Sequence, residues 1–244
     1  RERGIISTAM EPEIGFLMTN LALTGNHKGA RVLDPCCGSG SLLLYAAALG
    51  AKQLVGIDSD PNVWEDADAE FKRHVCILDG KPLATPQFFH GDVSTYSPAE
   101  ALGIPNSYDA IICDPPYNIG APIIADGKDQ RPRNHHYNKI DDSYENKSTS
   151  PSTTDLVYHI LVIARKVLVR GGRIVFFLPV RGEEITMTIE SLLLSRGCNQ
   201  MEVDREDDQE LPEGADCLRL LRGETRLQRF SPTFSRWLVC MEKA

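Results

Sequence analysis

Short apolar runs of strand length alternate along this chain with stretches whose apolar residues recur at helical spacing. Strands are predicted over 30–34, 53–58, 87–91, 108–113, 173–178, 199–203 and 237–241. Met10-Glu11-Pro12-Glu13 reads as a helix start, with proline in the first turn and acids that suit the helix dipole. Ile14, Leu17, Met18 and Leu21 then share one face of a helix running to Leu23. Further helices are predicted over 41–49, 61–76 and 183–195. A long amphipathic helix begins after Asp155 and ends at Arg170-Gly171-Gly172, a basic last turn followed by a glycine stop. Strand and helix in alternation predict an α/β fold, a mostly parallel sheet with helices on both faces.

Two stretches break the alternation. Residues 118–152 are polar, rich in Pro, Asn, Asp and Ser, and far longer than an ordinary connection, so they read as a long functional or disordered loop. Residues 202–216 are acidic and loop-like. The chain of 244 residues is therefore expected to be one domain, 1–244, with an N-terminal helical segment at 1–28 and the polar loop at 118–152. A net charge of −8 argues against a self-sufficient nucleic-acid binder, because affinity for a polyanion comes mostly from Lys and Arg on phosphates. Seven dispersed cysteines with no CxxC pair fit a reducing compartment and give no metal site. No apolar run reaches membrane-spanning length and no leader pattern opens the chain, so a soluble, cytoplasmic protein is expected. It starts at Arg1, as a piece cut from something longer would.

Four segments carry chemistry. Asp34-Pro35-Cys36-Cys37-Gly38-Ser39-Gly40 lies between a predicted strand and helix, where glycines let a ligand approach the backbone and the helix offers free N–H groups. A nucleotide-like cofactor suits that turn. About twenty residues on, Asp58 ends the second strand, the position from which a carboxylate holds a ribose, with Ser59 beside it. Asp60, just before Pro61, reads instead as a helix cap. Asp92, in His90-Gly91-Asp92-Val93, is positioned to accept from an adenine amine, with an ordinary turn aspartate as the plain structural reading. The fourth segment, Asp114-Pro115-Pro116-Tyr117, follows the apolar run Ala110-Ile111-Ile112-Cys113. Two prolines have no N–H to donate and fix the backbone so that a carbonyl faces outward. Asp114 and that carbonyl can accept the two hydrogens of a base's exocyclic amine while Tyr117 stacks on the ring.

Together these four segments resemble the signature of S-adenosylmethionine-dependent amino-methyltransferases, and the resemblance extends from Thr8 to Lys243. The opening Ile6-Ser7-Thr8-Ala9-Met10-Glu11-Pro12-Glu13 and closing Ser235-Arg236-Trp237-Leu238-Val239-Cys240-Met241-Glu242-Lys243 resemble the catalytic domain of tRNA guanosine N2-methyltransferases that modify position ten. The family's tyrosine is usually followed by glycine, whereas Asn118 stands here. The resemblance implies a class I (Rossmann-like) methyltransferase fold, a seven-stranded sheet whose last strand is antiparallel, and S-adenosyl-L-methionine as cofactor. It implies cofactor contacts from Thr8, Asp34, Pro35, Cys36, Gly38, Ser39, Gly40, Asp58, Ser59, Asp92, Val93 and Asp114, and catalytic roles for Asp114, Pro115, Pro116 and Tyr117. It also implies a tRNA substrate, an RNA-binding THUMP module upstream of Arg1, and a small zinc-containing activator protein on the sheet edge.

Rival readings remain open. Adenine also presents an exocyclic amine beside a ring nitrogen, so N6-methylation is served by the same four residues. A glutamine-directed enzyme usually has Asn where Asp114 stands. A cytosine C5-methyltransferase needs a thiolate nucleophile, but Cys36 lies in the glycine turn and Cys113 inside the predicted strand, so both read as packing residues. A catalytically inert binding subunit is the non-enzyme alternative. Among smaller features, His135, His136, Lys128, Arg131, Arg133 and Lys139 make the polar loop locally basic, as a solvated insertion or a substrate-gripping flap. Trp64 reads as a helix-face residue with the adenine of the cofactor as its alternative partner, and Asp109 as a turn cap.

Overall fold

The computed structural model describes residues 10–24, 28–63, 67–117, 153–198, 201–203 and 217–244. Thr8, Trp64, the loop 118–152 with its basic residues, and the acidic run 206–208 lie outside the described residues.

Helix α1 (Pro12–Leu23) starts as its sequence predicts, with Pro12 in the first turn and Glu13 beside it. Then follow β1 (Arg31–Asp34), α2 (Ser41–Ala48), β2 (Gln53–Asp58), α3 (Ala67–Lys72), β3 (Gln87–His90), α4 (Ala99–Leu102) and β4 (Tyr108–Cys113). The second half holds α5 (Thr153–Val167), β5 (Leu168–Arg181), α6 (Ile189–Ser195), β6 (Met201–Val203), β7 (Leu218–Leu220), β8 (Arg226–Ser231) and β9 (Phe234–Lys243). All nine strands form one sheet in the order β3-β2-β1-β4-β5-β9-β7-β6, with β8 also on β9. The ladders from β3 to β5 are parallel, while β9 runs antiparallel to β5, β7 and β8.

Period-two alternation divides the apolar side chains between two cores. Ile111, Cys113, Ile174, Phe176, Val239 and Met241 face α5 and α6, whereas Ala110, Ile112, Val175, Phe177, Leu238 and Cys240 face α1 and α2. At the amino end of β4, Asp109 is more than a turn cap. It accepts from the Arg31 backbone N–H at 2.8 Å and from its Nε at 3.1 Å, tying β4 to β1.

The described sheet corrects the expected seven strands, adding β7 and β8. The reason is the length of β9: ten residues present an edge that β8 pairs along its first half and β7 along its second. Three helix boundaries also move. Residues 61–63 form a turn and α3 stops at Lys72, after which Val75 bridges Pro82. Helix α5 stops at Val167 because Leu168 pairs with Tyr108, and Gly171, at φ +74°, sits in the bulge that follows. The expected helix over 183–195 is a 3₁₀ turn (Gly182–Thr186) and then α6, capped by Thr188 Oγ1 accepting from the Ser191 N–H at 3.3 Å. No helix among the described residues is long and apolar enough to cross a membrane.

Candidate active site

β1 and β4 are neighbours whose connections leave in opposite directions, β1 toward β2 and β4 toward β5, so their carboxyl ends flank the crevice where open α/β sheets take ligands. On one side, Asp34 ends β1 fully buried and its Oδ1 accepts from the Cys36 N–H at 3.1 Å, starting the turn. The Cys37 N–H then donates to the Ile57 carbonyl at 2.9 Å and the Gly38 N–H to Asp58 Oδ2 at 2.8 Å, so β2 holds the turn in shape. Gly40 caps α2 in the left-handed region at φ +79°. Gly38, at φ +47°, would point a Cβ into open space, so its hydrogen keeps the ground above the turn free for a ligand. Pro35 is buried and Ser39 exposed at the mouth.

Asp58 uses both oxygens on backbone, since Oδ1 accepts from the Asp60 N–H at 3.0 Å. Burial raises its pKa, and the Asp60 and Gly38 hydrogen bonds work against that rise. Asp60 itself accepts from the Asn62 N–H at 3.0 Å within the turn over 61–63, a turn contact in place of the helix cap its sequence suggests. The Ser59 carbonyl meets His90 Nε2 at 3.1 Å. Asp92 Oδ1 accepts from the Ser94 N–H at 2.8 Å and from its Oγ at 2.6 Å, opening a 3₁₀ turn over Val93–Thr95 in which Val93 is buried.

At the end of β4, Tyr117 donates its phenolic O–H to Asp114 Oδ1. The Arg236 guanidinium on β9 donates to the same phenol oxygen at 3.2 Å. Arg236 is itself fixed, lying 3.7 Å above the Phe177 ring and donating through Nε to Gln228 Oε1 at 2.8 Å. Burial pushes the Asp114 carboxyl up, opposed by the Tyr117 hydrogen bond and the Arg236 charge. Burial and the neighbouring Asp114 push the Tyr117 phenol far up, so it stays a donor. Burial also raises Asp34 well above its usual range; the Cys36 hydrogen bond opposes this, and Asp58 and Asp114 add to it. Three carboxyl groups thus share one desolvated crevice, a setting whose negative potential suits a cationic ligand. The nearby thiols are neutral: burial holds Cys113 well up, and it hydrogen-bonds Cys36.

Of the residues singled out from the sequence, Asp34, Pro35, Cys36, Gly38, Ser39, Gly40, Asp58 and Ser59 meet Asp114, Pro115, Pro116 and Tyr117 around this crevice, with Asp92 and Val93 following the neighbouring β3. Sequence reasoning missed Arg236, and with it Arg181, Phe230 and Phe234. Phe234 lies 6.2 Å from Tyr117. The available signal was period-two spacing at Gln228, Phe230, Phe234 and Arg236, two strands joined by a short turn.

Comparison with known proteins bears on the family and the fold. The model of the FtsJ-like methyltransferase family matches residues 18–205. The tRNA (guanine(10)-N(2))-methyltransferase of Dictyostelium discoideum is 32% identical over 179 residues, covering 71% of this chain and 33% of that protein. The enzyme of the same name from Mus musculus is 26% identical over 250 residues, covering 97% of this chain and 47% of that one. The chain therefore spans less than half the length of these relatives. Among solved structures, the N-methyltransferase NodS from Bradyrhizobium japonicum WM9, crystallised with S-adenosyl-L-homocysteine, superposes with a TM-score of 0.53 at 14% identity. That match covers 95% of this chain and 86% of NodS, and it supports a class I, Rossmann-like methyltransferase fold. Since the matching family model extends from within α1 to just beyond β6, across a sheet of methyltransferase architecture, the chain belongs to the FtsJ-like methyltransferase family.

Proposed function

We propose that this chain transfers a methyl group from S-adenosyl-L-methionine to the exocyclic amine of a nucleobase, guanosine N2 in tRNA. The observation that carries this reading is the Asp114–Tyr117–Arg236 hydrogen-bonded chain facing the glycine turn across the crevice. The cofactor, when bound, supplies an electrophilic methyl on a positively charged sulfur, which suits the three carboxyl groups. Asp58 is the residue to hold its ribose: each carboxylate oxygen has two lone pairs, so both remain able to accept from hydroxyls after binding backbone N–H groups. Asp34, Gly38, Ser39 and Gly40 shape the rest of that half, with Pro35, Cys36, Ser59, Asp92, Val93 and Thr8 as further contacts.

In the other half, Asp114 accepts from the amine and a proline carbonyl of Pro115 or Pro116 takes the second hydrogen. The nitrogen lone pair is then withdrawn from conjugation and aimed at the methyl. Tyr117 leaves Asp114 to stack on the base, and the amine proton departs during or after transfer, with Asp114 as its first acceptor. No covalent link to the protein is needed, in keeping with neutral, buried Cys113. The names of the relatives support tRNA guanosine as substrate.

As a single catalytic domain of net charge −8, residues 1–244 need phosphate contacts from elsewhere, and an upstream RNA-binding module would provide them. A small zinc-containing activator protein is proposed for the sheet edge at β3. The test is full-length protein, with and without candidate activator, incubated with tRNA transcript and labelled cofactor, followed by mass spectrometry of nucleosides. N2-methylguanosine is expected. N6-methyladenosine would overturn the guanosine assignment, and failure to bind labelled cofactor would overturn the enzyme reading.

A further inference from the structure

Next to the crevice, β5, β8 and the first half of β9 carry Arg181, Phe230 and Phe234, which the methyl-transfer chemistry leaves unused, beside Arg236, which it uses. Pairing sets Arg181 opposite Phe234 on one side of β9, and Ser231 opposite Phe234 on the other. Phe230 and Phe234 stack, with centroids 5.4 Å apart and planes at 22°. The Arg181 guanidinium lies 5.8 Å from the Phe234 centroid, and Arg236 lies 5.1 Å from Phe230. Neither phenylalanine belongs to the two apolar cores of the described residues, and Phe230 is 52% exposed at the end of β8. Among the described residues, burial therefore does not account for this stack. Its location does point to a ligand, because Phe234 is 6.2 Å from Tyr117, which makes the rings continuous with the catalytic loop.

Aromatic faces beside guanidinium groups, in a chain otherwise of net charge −8, match one ligand chemistry well: a flat base on the ring and a phosphate on the cation. We propose that Phe230, Phe234 and Arg181 form a second stacking site, which holds an unpaired nucleotide adjacent to the one being methylated. The proposal rests on the reading of Tyr117 as the platform for the target base. A base taken out of its stack leaves its neighbour with a bare face, and a ring one step along from Tyr117 covers it. Arg181, exposed beyond that ring, takes the intervening phosphate.

The test uses full-length protein and a single-stranded RNA carrying 2-aminopurine next to the target guanosine. Fluorescence quenching on binding reports stacking, and steady-state methylation gives KM and kcat. Phe230→Ser, at an exposed strand end, is expected to keep the melting temperature and kcat, raise KM about tenfold and lose much of the quenching, as deletion of one base–aromatic stack should. Phe230→Trp should restore both, and Arg181→Gln should weaken binding with a shallower salt dependence. Unchanged KM and quenching in Phe230→Ser overturn the stacking site while leaving the methyl-transfer reading intact. Quenching that depends on Phe230 without any methylated nucleoside supports the stack and overturns that reading. Absence of quenching by the unsubstituted protein overturns the stack whatever the methylation result.

Discussion

Tyr117 donates its phenolic hydrogen to Asp114, three residues earlier in the same loop, so the phenol occupies an acceptor that a nucleobase amine would need. The Arg236 guanidinium donates to that phenol oxygen at 3.2 Å, a second partner for the hydroxyl. The contact also tunes charge. Burial raises the Asp114 carboxyl, and the Tyr117 hydroxyl and Arg236 charge oppose the rise, keeping an acceptor available.

Loss of either opposing group should move the acid limb of the pH–rate profile. Tyr117→Phe keeps the ring but removes the hydrogen bond, so Asp114 becomes ionised only at higher pH. Methylation by this variant is expected to approach the unsubstituted rate at alkaline pH and to fall below it as pH drops. Because Tyr117 leaves Asp114 once the base is bound, the shift belongs to kcat/KM, which reports the free enzyme, and profiles of kcat/KM that superpose would contradict the link between the two residues.

Arg236→Met should shift the limb in the same upward direction, because it removes a cation that favours the carboxylate form. Arg236→Lys keeps the charge without the flat guanidinium that stacks on Phe177, so it should restore the limb more fully than it restores kcat. A purely structural role for Arg236 predicts lowered thermal stability with an unmoved profile.

The two halves of the crevice should separate on substitution. Asp114→Ala is expected to lower kcat by about 10²-fold or more, the scale of losing one positioned acceptor, with cofactor affinity nearly intact. Asp58→Ala should weaken cofactor binding at least about tenfold, since a hydrogen bond to a charged acceptor is worth about 1.5–3 kcal/mol. Isothermal calorimetry with the cofactor decides the second; unchanged affinity removes Asp58 as the ribose anchor.

Asp34 should make stability depend on pH. Its folded pKa is raised by burial, so between its unfolded value and its folded one the native state holds the extra proton. Stability from this group therefore falls as pH rises through that window, and the penalty remains above it. Asp34→Asn, which keeps an oxygen for the Cys36 N–H, should raise the melting temperature at neutral pH by about 2–4 °C, the worth of roughly 1 kcal/mol in a chain of this size. Melting curves across pH, with and without the substitution, provide the check.

Much of this molecule was readable in one dimension. The strands β1, β2, β4 and β5 announce themselves as apolar runs because both faces of each are covered, and the glycine turn is legible because glycine adopts without steric cost the left-handed backbone found at Gly38 and Gly40. Asp58 was legible too, lying at the end of its strand and only twenty residues from Gly38, whose N–H it accepts. The helix end at Val167 was not. Local propensity continues the helix to the glycines, and pairing of Leu168 with Tyr108 stops it first. Strand β8 was hidden as well, because an edge strand as exposed as Arg226–Ser231 carries only a faint apolar signal, Leu227 and Phe230. Arg236 reaches Tyr117 across 119 residues only because β9 runs antiparallel beside β5, with β8 at its other edge. Spacing along the chain determined the cofactor turn and the catalytic loop, whose groups sit within a few residues of the strand ends that carry them. Strand pairing alone decided which cation and which rings stand over that loop, because those contacts depend on register between segments that have no local reason to meet.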